Sequence, residues 1–536
     1  MMSIKQLFSK NNLFKDHYFL LLILLFIGLI IFKWQDLYLP YFSDELWSYG
    51  PAVRKMAVFG SSLLPSSLDL NDHFAHPLLF FFLAGLWASI FGASLFSTHL
   101  FASLLSILLL LIIYIVIKQL VSKQVAFYSV IVFAFQSIFL GQFSLVLPEI
   151  LLTIFTFLVI YFSEVNKLKW YFLFGCCLVL TKESGVFPII AIVLWNFIRD
   201  VFYDKISIFT KAVILKYLVL ALPLLALMLH FLLLKLEYGW FVMPLRIESF
   251  EFSWNEYHHR LMSTIHYVFI GQGRKPLIII LFFVGILFYN KLSWLKRLLL
   301  ITVSFVLLKV FFRYWIMPEF VEFAVVPFIF LYIVKSIFID VYKTDKNSGG
   351  VISIFSIITI FYILFISSFF DSRRYLFFLI PMIIIITNYF IANLPKFSKY
   401  LLPLFSILFI VSSFQYQFDD TNSGDDTNHY SNLCMIQKKS IEYLENNYPF
   451  NQPIQTTFLF KHSIERPLTG YLNSNNVFTN VSIVNSQIGC NECLVIFVST
   501  ELPDFYNKLI KEKEIKLEKE FQKRNVWIKI YKYKKT

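Results

Sequence analysis

The sequence predicts a polytopic α-helical membrane protein of about thirteen spans with a small C-terminal α/β domain, and three observations support that architecture. Of the 536 residues 58% are hydrophobic and only 15% are charged, with a mean hydropathy of +0.68, which is more apolar surface than one soluble core can hide. The apolar residues fall in uninterrupted runs long enough to cross a hydrocarbon core at about 1.5 Å per residue. After Gln417 these runs stop and the composition becomes that of an ordinary globular chain. A soluble enzyme is therefore excluded. So are a disordered chain and a collagen-like repeat, because Gly (17) and Pro (18) are few and the apolar runs are long.

The first element is the run Tyr18 to Phe32, preceded by Lys5, Lys10 and Lys15 and followed by no small-residue cleavage site. It reads as a retained first span with its N-terminus in the cytoplasm. Further spans are expected at 95–118, 124–143, 149–166, 169–183, 185–200, 212–235, 276–290, 297–313, 319–342, 350–369, 375–393 and 400–416. Thirteen spans put the C-terminal tail on the far side of the membrane. The short loops then left inside hold Lys118, Lys123, Lys167, Lys169, Arg199, Lys291, Lys296, Arg297 and Lys396 among others, as the positive-inside rule requires. The formal charge is +13, yet residues 417–536 carry 15 basic and 14 acidic side chains. The basic excess thus belongs to the membrane part, where it signals topology and lipid contact and not nucleic-acid binding.

Two outer loops, 35–94 and 236–275, are too long to be simple connectors. The first contains a second apolar stretch led by His76-Pro77-Leu78 and ending at Gly92. Counting it as a span would invert every later loop against the lysine pattern, so a helix in the outer interface is expected. Residues 417–432, with Asp419-Asp420 and Asp425-Asp426, read as a solvated linker, and 433–536 as a soluble domain. Within it a helix over 433–447, a β-rich 454–460, a strand at 494–498, a helix over 503–521 and a strand over 526–533 are expected. Of five cysteines, Cys176 and Cys177 lie in a span as small packing residues. Cys434, Cys490 and Cys493 fall in the tail, where Cys490-Asn491-Glu492-Cys493 is compatible with a disulfide, a redox pair or free thiols.

The residues that could carry chemistry gather at the outer boundary. Asp44-Glu45, about ten residues past the first span, supplies a general base with a positioning partner, or simply a solvated helix start. Asp72-His73-Phe74-Ala75-His76-Pro77 sets two imidazoles before the interfacial helix, facing a phosphate or sugar hydroxyl or else serving as ordinary packed histidines. Leu147-Pro148-Glu149 places an acid at the outer end of the fourth span, and Thr181-Lys182-Glu183 turns between the fifth and sixth. Arg313-Tyr314 and Arg373-Arg374-Tyr375 put arginines outside, against the positive-inside bias. An anionic partner accounts for that, and so does snorkelling to headgroups.

In this order the motifs resemble the GT-C membrane glycosyltransferases of family 39, which include protein O-mannosyltransferases and lipid A aminoarabinose transferases. The shared order is one helix, an outer loop opening with Asp-Glu, an aromatic stretch led by His-Pro, a Pro-acid at the fourth span, a Thr-Lys turn and a late Arg-Tyr. The resemblance covers roughly residues 15–395. It implies transfer of a sugar from an undecaprenyl- or other polyprenyl-phosphate carrier to a lipid A, glycan or protein acceptor, with inversion, on the outer face of a bacterial inner membrane. By the same resemblance Asp44 is the catalytic carboxylate with Glu45 beside it, and Glu149 a second-site carboxylate where the family has Pro-Asp. His73 and His76 would contact substrate, His76 standing where aminoarabinose transferases have Lys before Pro. Lys182 and Arg374, with Arg373 as its alternate, would hold the carrier phosphate, and Tyr375 is a further substrate-binding candidate. No metal ligands are assigned, although a divalent metal is compatible with the chemistry. A transporter or flippase would need related halves and polar groups near the bilayer midplane. A non-catalytic envelope assembly protein would tolerate amides at Asp44 and Glu45.

Overall fold

The computed structural model describes residues 16–207, 210–244, 253–276, 346–368, 373–393, 398–419, 424–485, 488, 490, 492–512 and 515–534. The expected spans 276–290, 297–313 and 319–342, with Arg313-Tyr314, lie outside them. The chain forms two compact units: Met1–Phe26 with Ile107–Gln136 and Glu149–Tyr416, and Ile27–Ser106 with Ser137–Pro148 and Gln417–Thr536.

Among the described residues five helices are long and apolar enough to cross a membrane: Leu95–Leu120, Glu183–Tyr203, Ser348–Ile366, Arg373–Ala392 and Lys399–Phe418. A sixth results if Lys211–Ala221 and Leu224–Tyr238, bent by 51°, are one broken span. Pro223 accounts for that bend, because it has no N–H to continue the ladder. The stretch 124–143 is interrupted instead of continuous: a helix Lys123–Ala134 is followed by a separate short helix Ser137–Gln142. At the break Gln136 is buried, and its amide goes to Ser413 Oγ at 2.9 Å.

In the first unit the helices pack in antiparallel neighbours joined by short turns. Glu149–Glu164 lies on Leu168–Thr181 through stacked Phe162 and Phe174 rings 5.4 Å apart. Gly175 lets the second of these approach the proline bend, since a Cβ there would stand 2.6 Å from Pro223. Leu379–Ala392 packs on Lys123–Ala134, with Asn388 donating to Ser129 Oγ at 2.9 Å. Burying this amide–hydroxyl pair in an apolar seam fixes the rotation of both helices, because leaving either group unmet would cost about 1–3 kcal/mol. Asp16 anchors the start of helix His17–Phe32, accepting from Lys118 at 2.6 Å and Lys123 at 2.7 Å.

The second unit contains a five-stranded sheet in the order β2-β1-β3-β5-β4, made of β1 Ile454–Thr456, β2 Val481–Ile483, β3 Glu492–Val498, β4 Ile515–Lys523 and β5 Val526–Lys534. β1 is parallel to β2 and β3, whereas β5 is antiparallel to β3 and β4. β3 is buried from Cys493 to Val498, the continuous apolar strand of a covered sheet centre. Helix Tyr430–Asn447 covers β4 and β5, with Tyr443 on Phe521, and Tyr506 of helix Tyr506–Glu512 packs on Phe497 and Trp527. Two expectations are corrected. Residues 454–460 form a three-residue strand and then helix Phe458–Glu465, and 503–521 forms a short helix followed by β4. The run Lys516 to Glu520 carries strong helix formers, but pairing with β5 overrides local propensity. Cys490 and Cys493 are joined as a disulfide. The helix before the acidic run continues to Asp419, and further on Asp426 and Thr427 are buried, so that part of the run is not solvated.

The same unit holds the loop after the first helix and the helix Leu79–Phe91, whose 13 residues span about 20 Å and are too few to cross a bilayer alone.

Candidate functional site

Two clusters of ionisable side chains stand out, one in each unit. In the second unit the chain leaves the turn Trp34–Tyr38, passes Pro40, and takes a left-handed conformation at Ser43, φ +54°. It then winds into the π-helical turn Glu45–Tyr49, a rare geometry that recurs at functional sites. That winding separates the two adjacent acids. Glu45 is fully buried: its Oε2 accepts from the Phe42 N–H at 3.1 Å, its Oε1 accepts from the Val146 N–H at 2.6 Å, and the same Oε1 pairs with His99 Nε2 at 3.1 Å. His99 Nδ1 faces the Leu37 carbonyl at 3.2 Å. A carbonyl can only accept, so His99 Nδ1 donates there. Glu45 and His99 thus form a buried pair that ties three chain segments together.

Asp44 is half-buried, and its Oδ1 accepts from Trp47 Nε1 at 3.2 Å. The Trp47 ring meets Phe74 edge-on at 4.7 Å and Phe458 at 5.7 Å, and the Trp47 carbonyl accepts from Arg466 at 2.6 Å. Of these two adjacent acids, Asp44 keeps partial exposure and Glu45 does not. Nearby in sequence, Lys55 pairs with Asp69 and with Asp72 at 2.5 Å, and Ser48 donates to the Asp72 carbonyl at 2.6 Å. Phe74 and Ala75 both adopt positive φ and turn the chain toward Pro77. His73 is fully enclosed beside this ion pair, and His76 is half-buried with its N–H on the His73 carbonyl at 2.8 Å.

His462, stacked edge-on against Phe458 at 4.6 Å, is held at a pKa of about 4 by burial and by the cations Arg466 and Lys461, against an ordinary 6.5. The unfolded chain therefore binds a proton between these values that the folded chain refuses, so stability is unaffected at pH 7 and falls as pH drops from 6.5 toward 4. Amide exchange in helix Phe458–Glu465 should accelerate over that window, and His462→Gln should flatten the dependence. Equal slopes for both proteins would refute the assignment.

In the first unit Glu149 opens its helix, where the macrodipole favours an anion. Lys182 follows helix Leu168–Thr181, and Arg373–Leu376 forms a tight turn before the helix Leu379–Ala392. These distant segments converge. Lys182 Nζ donates to Glu149 Oε1 at 2.7 Å, and Arg374 Nε stands 3.7 Å from the same oxygen. Lys182 Nζ also lies 3.7 Å above the Tyr375 ring, and Arg374 donates to the Tyr375 hydroxyl at 3.2 Å. The side chains are nearly closed to solvent, with relative exposures of 2% for Glu149, 7% for Lys182 and 5% for Arg374. Two cationic side chains thus converge on one carboxylate, and their N–H donors are of the kind that phosphate oxygens accept from. Arg373 is exposed and lies over the Tyr267 ring at 5.6 Å.

Sequence reasoning missed His99, Arg466 and Arg274. The last is buried, with Gln136 and Gln272 oxygens at 3.3 and 3.1 Å and the Val268 carbonyl at 2.9 Å, where its cation satisfies the end of helix Trp254–Phe269. Its signal was only a charge beside Gly273, whose φ of +77° permits the turn. Among the described residues no three His, Cys, Asp or Glu side chains gather in a way that could hold a metal ion.

Comparison with known proteins agrees with this architecture. Residues 75–233 match the family described as dolichyl-phosphate-mannose-protein mannosyltransferase. The fold is similar to the crystal structure of ArnT from Cupriavidus metallidurans bound to undecaprenyl phosphate, at TM-score 0.50 and 11% identity, over 95% of this chain and 97% of that one. The apo state of the same protein aligns at TM-score 0.47, again at 11% identity and with 95% and 97% coverage. The oligosaccharyltransferase of Archaeoglobus fulgidus aligns at TM-score 0.40 and 12% identity, over 81% of this chain and 58% of that one. No curated protein matches in sequence.

Proposed function

We propose, from the premise that this chain is a membrane glycosyltransferase of the GT-C fold, that it moves a sugar from a polyprenyl-phosphate carrier to an acceptor hydroxyl or phosphate. The acceptor is lipid A, another glycan or a protein. The reaction proceeds with inversion on the outer face of a bacterial inner membrane, in a chain of about thirteen spans whose C-terminal domain faces the periplasm. The buried Glu149, Lys182, Arg374 and Tyr375 constellation is the observation that carries this reading, because two cationic side chains converge there and offer the donors that a phosphate accepts from.

Asp44 takes the proton of the acceptor hydroxyl. The acceptor oxygen then forms its bond to the anomeric carbon while the bond from that carbon to the carrier phosphate oxygen breaks. The leaving phosphate keeps the electron pair, and its growing charge is met by Lys182 and Arg374. Glu149 holds Lys182 in place, and Glu45 with His99 fixes the start of the helix that presents Asp44. The test is mass spectrometry of lipid and protein glycans from a deletion strain. One sugar should disappear from one class of glycan and return with the intact gene, whereas unchanged glycans would remove the reading.

A further inference from the structure

Residues 39–43, which lead to Asp44, lie outside the helical turns, and several of their contacts are made with the C-terminal part of the chain. The Tyr41 N–H donates to the Thr469 carbonyl at 3.0 Å. Gly470, at φ +92°, lies so close to Pro40 that a Cβ would stand 2.9 Å from its Cα. Ser43 Oγ donates to Asp425 at 3.1 Å. Closest to the acid, Arg466 donates to the Trp47 carbonyl at 2.6 Å, and Trp47 is the residue whose indole N–H holds Asp44 Oδ1. The chain separation across that contact is 419 residues.

We propose that Arg466 is a positioning residue for sugar transfer: by fixing the Trp47 carbonyl within the π-helical turn, it aims the indole N–H that orients the Asp44 carboxylate. This rests on Asp44 being the acceptor base. A base must lie within hydrogen-bond reach of the proton it takes, and a shift of about 1 Å can cost about 10²-fold in rate. The C-terminal segment is then part of the catalytic unit and not an appended module. Without Arg466, the Trp47–Asp44 pair loses its outside anchor.

The experiment uses the full chain, with variants expressed in the deletion strain at matched membrane levels, glycan product read by mass spectrometry, and affinity for undecaprenyl phosphate measured in nanodiscs. Arg466→Ala should lower product at least tenfold, leave undecaprenyl phosphate affinity within twofold, and be largely rescued by Arg466→Lys. The double variant Asp44→Asn/Arg466→Ala should be no worse than Asp44→Asn, because Arg466 acts only through that carboxylate. A merely structural arginine would give multiplied losses in the double variant, or lost carrier affinity, and either result would overturn the proposal. If Arg466→Ala does not accumulate, Arg466→Gln, which keeps an N–H for the Trp47 carbonyl, must retain more activity than Arg466→Met of similar length. Full activity of Arg466→Ala with an inactive Asp44→Asn defeats this inference alone. An active Asp44→Asn defeats the assignment of the base beneath it.

Discussion

Asp44→Asn is expected to assemble normally in the membrane and to lower sugar transfer by about 10²-fold or more, the usual scale of general acid–base catalysis. The amide keeps the shape of the carboxylate and can still accept from Trp47 Nε1, so the loop should retain its course. It cannot take a proton from the acceptor, so the loss should fall on transfer and leave carrier binding intact. The neighbouring acid should behave in the opposite way. Glu45 accepts two backbone N–H groups and pairs with His99 in a closed environment, and Glu45→Ala would leave these buried groups unmet at a cost of about 1–3 kcal/mol each. Its defect should therefore appear as reduced membrane accumulation. Glycan product from Asp44→Asn at wild-type level would move the base to another acid, and normal accumulation of Glu45→Ala would contradict the anchoring role of Glu45.

Lys182→Ala and Arg374→Ala are each expected to weaken binding of undecaprenyl phosphate by about 1–3 kcal/mol, the range for a hydrogen bond to a charged group, measured in nanodiscs without acceptor. Arg374→Lys should not restore it, because the planar guanidinium reaches both the Glu149 oxygen and the Tyr375 hydroxyl, and can meet phosphate oxygens two at a time. Among the described residues Lys182→Ala also leaves Glu149 with the more distant Arg374 for compensation, so a stability loss must be separated from a binding loss. The triple variant Glu149→Gln/Lys182→Met/Arg374→Met removes the three charges together and should recover stability without recovering binding, since removing a buried ion cluster costs far less than breaking it. Unchanged affinity in both single variants, with folding intact, would leave these residues as structural ions and take the phosphate clamp out of the mechanism.

The amino-acid sequence by itself determined the class of protein. Apolar runs, lysine placement and the break after Gln417 are local or summed properties, and they predict a helical membrane chain with a mixed α/β tail. It also singled out the charged boundary residues, because Glu149, Lys182 and Arg374 each stand out against an apolar background wherever their partners lie. Only the tertiary structure decided how these charges are used. Asp44 and Glu45 are adjacent and chemically alike, yet a π-helical turn and His99, 54 residues away from Glu45, make one a buried anchor and leave the other partly exposed. The helix expected over 503–521 became β4 because its partner β5 lies across a turn that local propensity does not register. Arg466 looks like any basic residue in a mixed segment until the chain brings it to the Trp47 carbonyl. Periodicity and charge are written along the chain, whereas a hydrogen-bond partner is chosen by packing between distant segments, and catalytic geometry depends on that second choice.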